Sequence, residues 1–144
     1  MRNTRIITFN ISNLHVAPDN IKLKDKWELL INIEADLEVI LNSARYYNVQ
    51  TTIVELAVEL KKWLTAPVST SFKYETIDDD ETDIFDIIAI SSNSYKFHSV
   101  WQESECNTTF TKDEINDFIK RYIQAVRENI KNKYDINLTE KIGL

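Results

Sequence analysis

Glu75, Asp78, Asp79, Asp80, Glu81, Asp83 and Asp86 place seven carboxylates in twelve residues, and no Lys or Arg lies between Tyr74 and Tyr95. Carboxylates at this density can ligate a divalent cation, share protons as an acid and base pair, or meet the cationic groups of a partner. A calcium loop needs oxygen ligands at alternate positions, Gly at the sharp turn and a closing Glu at the twelfth. Asp78, Asp80 and Thr82 match the early spacing, but Asp83 stands where Gly is required and Ala89 where Glu belongs. Acid and base work needs an apolar pocket that separates two carboxylate pKa values, and a solvated charged run supplies none. Recognition of a cationic partner is what these residues fit best. The bland reading, a solvated loop between two strands that keeps the chain soluble, carries about equal weight.

Other chemistry is poorly provided for. One Cys and two His fall short of a zinc ligand set, with His98 and Cys106 eight residues apart. His98 and Cys106 could approach each other across a hairpin end, but no nucleophile elbow accompanies them, so an inert thiol and a strand histidine are expected. Phosphate-cradling loops are excluded, because the single Gly is Gly143. No metal or other cofactor is expected. Tyr46, Tyr47, Tyr74, Tyr95 and Trp101 sit near turns or acidic segments, where aromatic anchors of an interface would lie, and a core placement carries somewhat more weight for them. Tyr74 and Tyr95, which bracket the acidic run, are the two taken as partner-binding. Trp27, Trp63, Phe9, Phe85, Phe97, Phe118 and Tyr122 fall on apolar parities and read as core.

The net charge of −6 is unevenly spread. Residues 1–26 carry a net of +3, residues 27–111 a net of −10 and residues 112–144 a net of +1. An acidic field of this kind speeds encounter with a basic partner and repels nucleic acid, and no basic patch with interleaved aromatics offsets it. At 144 residues one domain spanning 1–144 is expected. The lone Cys106 permits no intramolecular disulfide and fits a reducing compartment. With no signal peptide or membrane-spanning run in view, the chain reads as cytoplasmic, without membrane or nucleic acid as partners.

The elements that must position these residues follow from periodicity. Ile7, Phe9 and Ile11 alternate with polar residues and predict a first strand, broken at Pro18. From Trp27 to Leu41 apolar residues share one parity over fifteen residues, too long for one ordinary strand, so a bent strand or a hairpin turning near 34–36 is expected. The opposite parity holds Glu28, Asn32, Glu34, Asp36 and Glu38, a second acidic face and the next candidate surface. Ile53, Leu56, Leu60 and Trp63 predict a helix over 50–65, stopped by Pro67. Strands are expected over 70–77, 84–91 and 94–103, the last two joined at Ser92-Asn93. Thr111 and Glu114 have capping-box spacing, Phe110 and Ile115 that of a hydrophobic staple, and an apolar stripe runs from Ile115 to Ile130. The sum is an α+β domain: one antiparallel sheet with two main helices packed on one face.

A small, acidic, Gly-poor chain with a helix from Val54-Glu55-Leu56 to Lys62-Trp63-Leu64, strands ending at Val100-Trp101-Gln102 and a capped final helix resembles a known class in its layout. It is similar to the small α+β immunity proteins that bacteria make against polymorphic toxins, including those of contact-dependent growth inhibition. The resemblance implies a non-catalytic protein that binds one cognate toxin, often a nuclease, and covers its active site. It assigns a role to no individual residue. The carboxylates would then stand in for phosphate oxygens in a basic groove. Two alternatives stay open: an adaptor or oligomeric domain, and a ligand-binding or enzymatic domain using the sheet face around His98.

Overall fold

The computed structural model describes residues 6–17, 22–67, 69–74 and 84–144. Alternation of Ile7, Phe9 and Ile11 with Thr8, Asn10 and Ser12 forms the strand β1, Ile7–Val16. The long alternating run does not turn near 34–36. Asp25 and Glu28 cap each other's backbone and start a short helix, α1, Lys26–Ile31, and the strand begins only after it, as β2, Ile33–Leu41. A capping box satisfies two otherwise orphaned amides at once, which outweighs an alternation that Leu29 and Leu30, both buried, already break. Trp27, expected in the core, is 61% exposed on this helix.

The hairpin turn falls instead at Asn42-Ser43, both left-handed with φ of 51° and 71°, and leads into β3, Ala44–Thr51. Two successive positive φ values give the turn that matches strand twist, a position where Gly is usual. With Gly143 the single glycine, this chain places Asn, Ser and Asp in the left-handed region instead. Helix α2, Ile53–Leu64, follows. Then come β4, Phe72–Tyr74, β5, Phe85–Ser91, and β6, Ser94–His98. The turn between β5 and β6 lies at Ser92-Asn93 as expected. Strand β6 stops at His98 rather than 103, because the Ser99 hydroxyl donates to the Ile84 carbonyl and accepts from the Trp101 N–H at 3.0 Å, turning the chain away. Helix α3, Lys112–Tyr134, opens with the expected Thr111 and Glu114 capping box, and α4, Leu138–Ile142, follows.

The class is α+β, but the strands form two sheets, not one. Among the described residues these are two antiparallel three-stranded sheets, ordered β1-β2-β3 and β4-β5-β6. Helices α2 and α3 pack on each other and reach both sheets, α2 on β2 and β4 and α3 on β1 and β6. Aromatic side chains tie the two sheets together: Tyr47 meets Phe85 at 5.3 Å, Phe85 meets Phe97 at 5.7 Å, and Phe97 meets Phe110 and Phe118 at 5.5 and 6.0 Å. Contacts of this geometry contribute about 0.5–1.5 kcal/mol each beyond area burial. A bulge at Tyr46 of β3, opposite Val39 and Ile40 of β2, turns both Tyr46 and Tyr47 inward, where both are buried.

Candidate partner-binding face

The expected partner-binding residues divide sharply. Glu75, Asp78, Asp79, Asp80, Glu81 and Asp83 lie outside the described residues. The three that are described are in the interior. Tyr74 is buried, and its hydroxyl donates to Glu55 Oε1 at 2.8 Å beside Thr52 Oγ1 at 2.6 Å, so it satisfies a carboxylate that is itself buried. Tyr95 is fully buried against Trp63 at 5.7 Å, and its hydroxyl accepts from the Ser69 N–H. Asp86 is 1% exposed, with Oδ2 lying 3.4 Å from His98 Nδ1. None of the three can serve as an exposed anchor. For the two tyrosines this follows from strand parity, since Tyr74 pairs with Phe85 and Ala89 with Tyr95 on the core side, whereas Asp86 has the other parity and pairs with Lys73 and His98.

Tyr46 and Tyr47, also weighed as anchors, are core residues whose phenols are pushed up to about 12, both chiefly by burial; at Tyr46 the neighbouring Cys106 adds to the rise. Trp101 alone of the five stays partly exposed, at 37%.

The second acidic face is different. On β2 the apolar parity from Ile33 to Leu41 is buried, while Glu34, Asp36 and Glu38 point to the other side of the sheet. Side chains two apart on a strand stand about 7 Å from one another. Register puts His15, Ser12 and Asn10 of β1 opposite these three carboxylates, and Gln50 and Asn48 of β3 opposite Asp36 and Glu38. Thr8, Asn10, Ser12, Asn48 and Gln50 are exposed, so the face is open to solvent.

Its side chains hold one another in place. Asn10 Nδ2 donates to Glu38 Oε1 at 2.8 Å, and Gln50 Nε2 donates to Glu34 Oε2. His15 Nδ1–H donates to the Asn13 carbonyl at 2.8 Å, leaving Nε2 toward Gln50 and 3.8 Å from Glu34. At one rim Arg45 joins Glu38 at 3.6 Å and Glu103 at 3.1 Å. The Asp36 carboxylate, at the centre, makes no hydrogen bond or ion pair among the described residues. The result is a fixed row of carboxylates with a negative centre and a neutral amide border, suited to cationic groups spaced along a surface. Glu28, grouped with these by parity, is instead spent on the α1 capping box. Sequence parity disclosed the carboxylates; His15, Asn10, Gln50 and Arg45 enter only through register, which no sequence signal gave.

A second concavity, a cleft of about 290 Å³, is lined by Ile88, Lys96, His98, Gln102, Glu105 and Cys106 among others. It brings His98 and Cys106 to one cleft, with Asp86 buried behind the imidazole. Among the described residues no group of three His, Cys, Asp or Glu side chains could hold a metal ion.

Residues 7–132, which run from β1 through most of α3, match the model of a family described as domain of unknown function DUF7878. The chain belongs to that family. The DUF7878 match takes in all of the acidic face and the cleft. No curated protein and no solved structure matches the chain. No helix among the described residues is long and apolar enough to cross a membrane.

Proposed function

We propose that this DUF7878 member is a non-catalytic binding protein that neutralises a basic cognate partner, a bacterial toxin domain of the nuclease kind, by covering its phosphate-binding groove. The observation that carries the reading is the open outer face of the first sheet, where Glu34, Asp36 and Glu38 form a pre-ordered row with Asp36 unengaged at its centre. A groove that binds phosphates is lined with Lys and Arg, and carboxylates held in place lose little freedom when they meet it. The acidic run from Glu75 to Asp83 adds negative charge in the sequence that suits the same partner. The likeness to immunity proteins supports the choice of a toxin as that partner, and the cytoplasm is where such protection would be needed.

The test is a pull-down of tagged protein from its source strain, washed at low and high salt, with bound proteins identified by mass. One stoichiometric basic partner, released by salt and inhibited by the wild-type protein in a nuclease assay, is expected. A stoichiometric partner that is acidic, or one left fully active in the complex, overturns the reading.

A ligand-binding role for the cleft has its own support, since an imidazole backed by a buried carboxylate is held in one orientation. His98→Ala separates the two: loss of toxin protection by this variant with partner binding intact would favour the cleft, and unchanged protection favours occlusion by the face.

A further inference from the structure

Strand β1 forms one edge of the first sheet, and the outer side of its middle is unpaired among the described residues. The Asn42 N–H donates to the Ile6 carbonyl at 2.9 Å, which fixes the phase of the ladder. In an antiparallel pair the direction of the backbone groups alternates. Thr8, Asn10 and Ser12 therefore bond to β2, while Ile7, Phe9 and Ile11 turn their N–H and C=O groups outward. The ends of this edge are taken: Arg121 Nη2 donates to the Ile7 carbonyl at 2.8 Å, and Lys133 Nζ donates to the Leu14 carbonyl. Between them the outward N–H and C=O groups of Phe9 and Ile11 have no partner among the described residues. The edges β3 and β6 are each met by a neighbouring segment. The Glu103 N–H and the Ser104 hydroxyl bond the carbonyls of Tyr46 and Arg45 on β3, and Phe110 exchanges both backbone bonds with Tyr95 on β6.

At the Ile7 end of this edge lies a groove of about 390 Å³, between Ile6–Thr8 on one wall and Asp113, Glu114, Asp117 and Arg121 of α3 on the other. Its carboxylates outnumber its one cation, Arg121, which already pairs with Asp117 at 2.9 Å. Asp113, exposed, has no partner among the described residues.

We propose that the β1 edge receives an extended, basic segment of the partner as a fourth strand, bonded to the backbone of Phe9 and Ile11, with alternate Lys or Arg side chains turned toward Asp113 and Asp117. Strand addition supplies main-chain hydrogen bonds for affinity and alternate side-chain positions for selectivity. The acidic groove selects a basic strand. A second copy of this chain, carrying the same net charge of −6, is disfavoured by repulsion. The inference rests on the reading of the partner as basic, but it concerns a different surface from the carboxylate row.

The test uses blocked peptides of alternating Lys and Val, with a Glu and Val peptide as control, titrated into the full chain and followed by amide NMR and hydrogen exchange. Saturable binding of the Lys peptide, with the Phe9 and Ile11 amides protected and the Glu peptide inert, is expected. Ile11→Pro removes an outward donor and leaves the β1–β2 ladder intact, as proline on an edge strand does. It should weaken the Lys peptide by about tenfold, given what a few backbone bonds contribute. Asp113→Lys, which touches no hydrogen bond, should weaken it too. Asp36→Asn, on the sheet face, should not. No saturable binding, or binding that ignores both Ile11→Pro and Asp113→Lys, overturns the edge. If Asp36→Asn alone weakens it, the edge is overturned while the acidic face stands. A concentration-dependent dimer abolished by Ile11→Pro assigns the edge to a second copy and overturns the basic strand.

Discussion

The tyrosines show most plainly how a residue's type and neighbours in sequence can mislead about its place. Tyr46, Tyr47, Tyr74 and Tyr95 are polar enough to suggest an interface, yet each is buried and each hydroxyl is bonded: to Gln102, Thr51, Glu55 and the Ser69 N–H respectively. A phenol supplies apolar area with one polar tip, and the fold uses both parts. Such tyrosines make the protein sensitive to base. Tyr46 and Tyr47 rise to about 12 in the fold, both first through burial, and burial also raises Tyr122. In the unfolded chain a phenol loses its proton near about 10. Between these values the unfolded state holds fewer protons than the folded one, so stability is complete below about pH 10 and falls as pH climbs toward about 12. Urea unfolding at pH 8, 10 and 11, read by near-ultraviolet circular dichroism, should show a steady loss above pH 10, and tyrosinate absorbance should rise with unfolding. Tyrosinate forming fully while the near-ultraviolet signal stays native would contradict the buried placement.

At the scale of elements, α3 was fully legible and α1 was not, although both start with the same device. Thr111 and Glu114 precede a stripe with a clear helical period, so cap and pattern agree. Asp25 and Glu28 precede a segment whose apolar residues fit strand parity as well, and only the cap marked it as helical. The division of the strands into two sheets was illegible for a related reason. Alternation states that a strand has a buried face, but the partner is set by bulges, at Ser12–His15 and at Val39–Ile40, and by a glycine-free turn at Asn42-Ser43. The difference between the two helices is testable. Helix α3 buries Phe118 and Tyr122 against Phe9 at 5.9 and 5.6 Å, so fraying at Thr111 reaches the core. Thr111→Ala should cost about 1 kcal/mol of global stability, read as a lowered urea midpoint with unchanged slope. Asp25→Ala, on a helix of six residues at the periphery, should chiefly raise amide exchange within α1. Equal global losses from the two would mean that α1 is as central to folding as α3.

For the molecule as a whole, the two proposed surfaces lie side by side, since Thr8, Asn10 and Ser12 border the carboxylate row while Phe9 and Ile11 carry the open edge. They should nevertheless govern different steps of association. Charges on the open face act at a distance and in water, so they accelerate encounter and are screened by salt, with a Debye length of about 10 Å at 0.1 M falling to about 3 Å at 1 M. Backbone bonds at the edge form only once the partner has docked, so they slow its departure. Asp36→Asn combined with Glu38→Gln should therefore lower the association rate with a basic toxin by about tenfold at low salt, with dissociation little changed. Raising salt should erase the gap between variant and wild type. Ile11→Pro should do the reverse, leaving association untouched and speeding dissociation at every salt concentration. Surface plasmon resonance across a salt series measures both rates on the same three proteins. If the paired carboxylate variant dissociates faster without associating more slowly, the row is a contact patch rather than a steering field. Attraction of the basic partner would then fall to the other acidic run of the sequence, Glu75 to Asp83, whose neutralised variants form the next series.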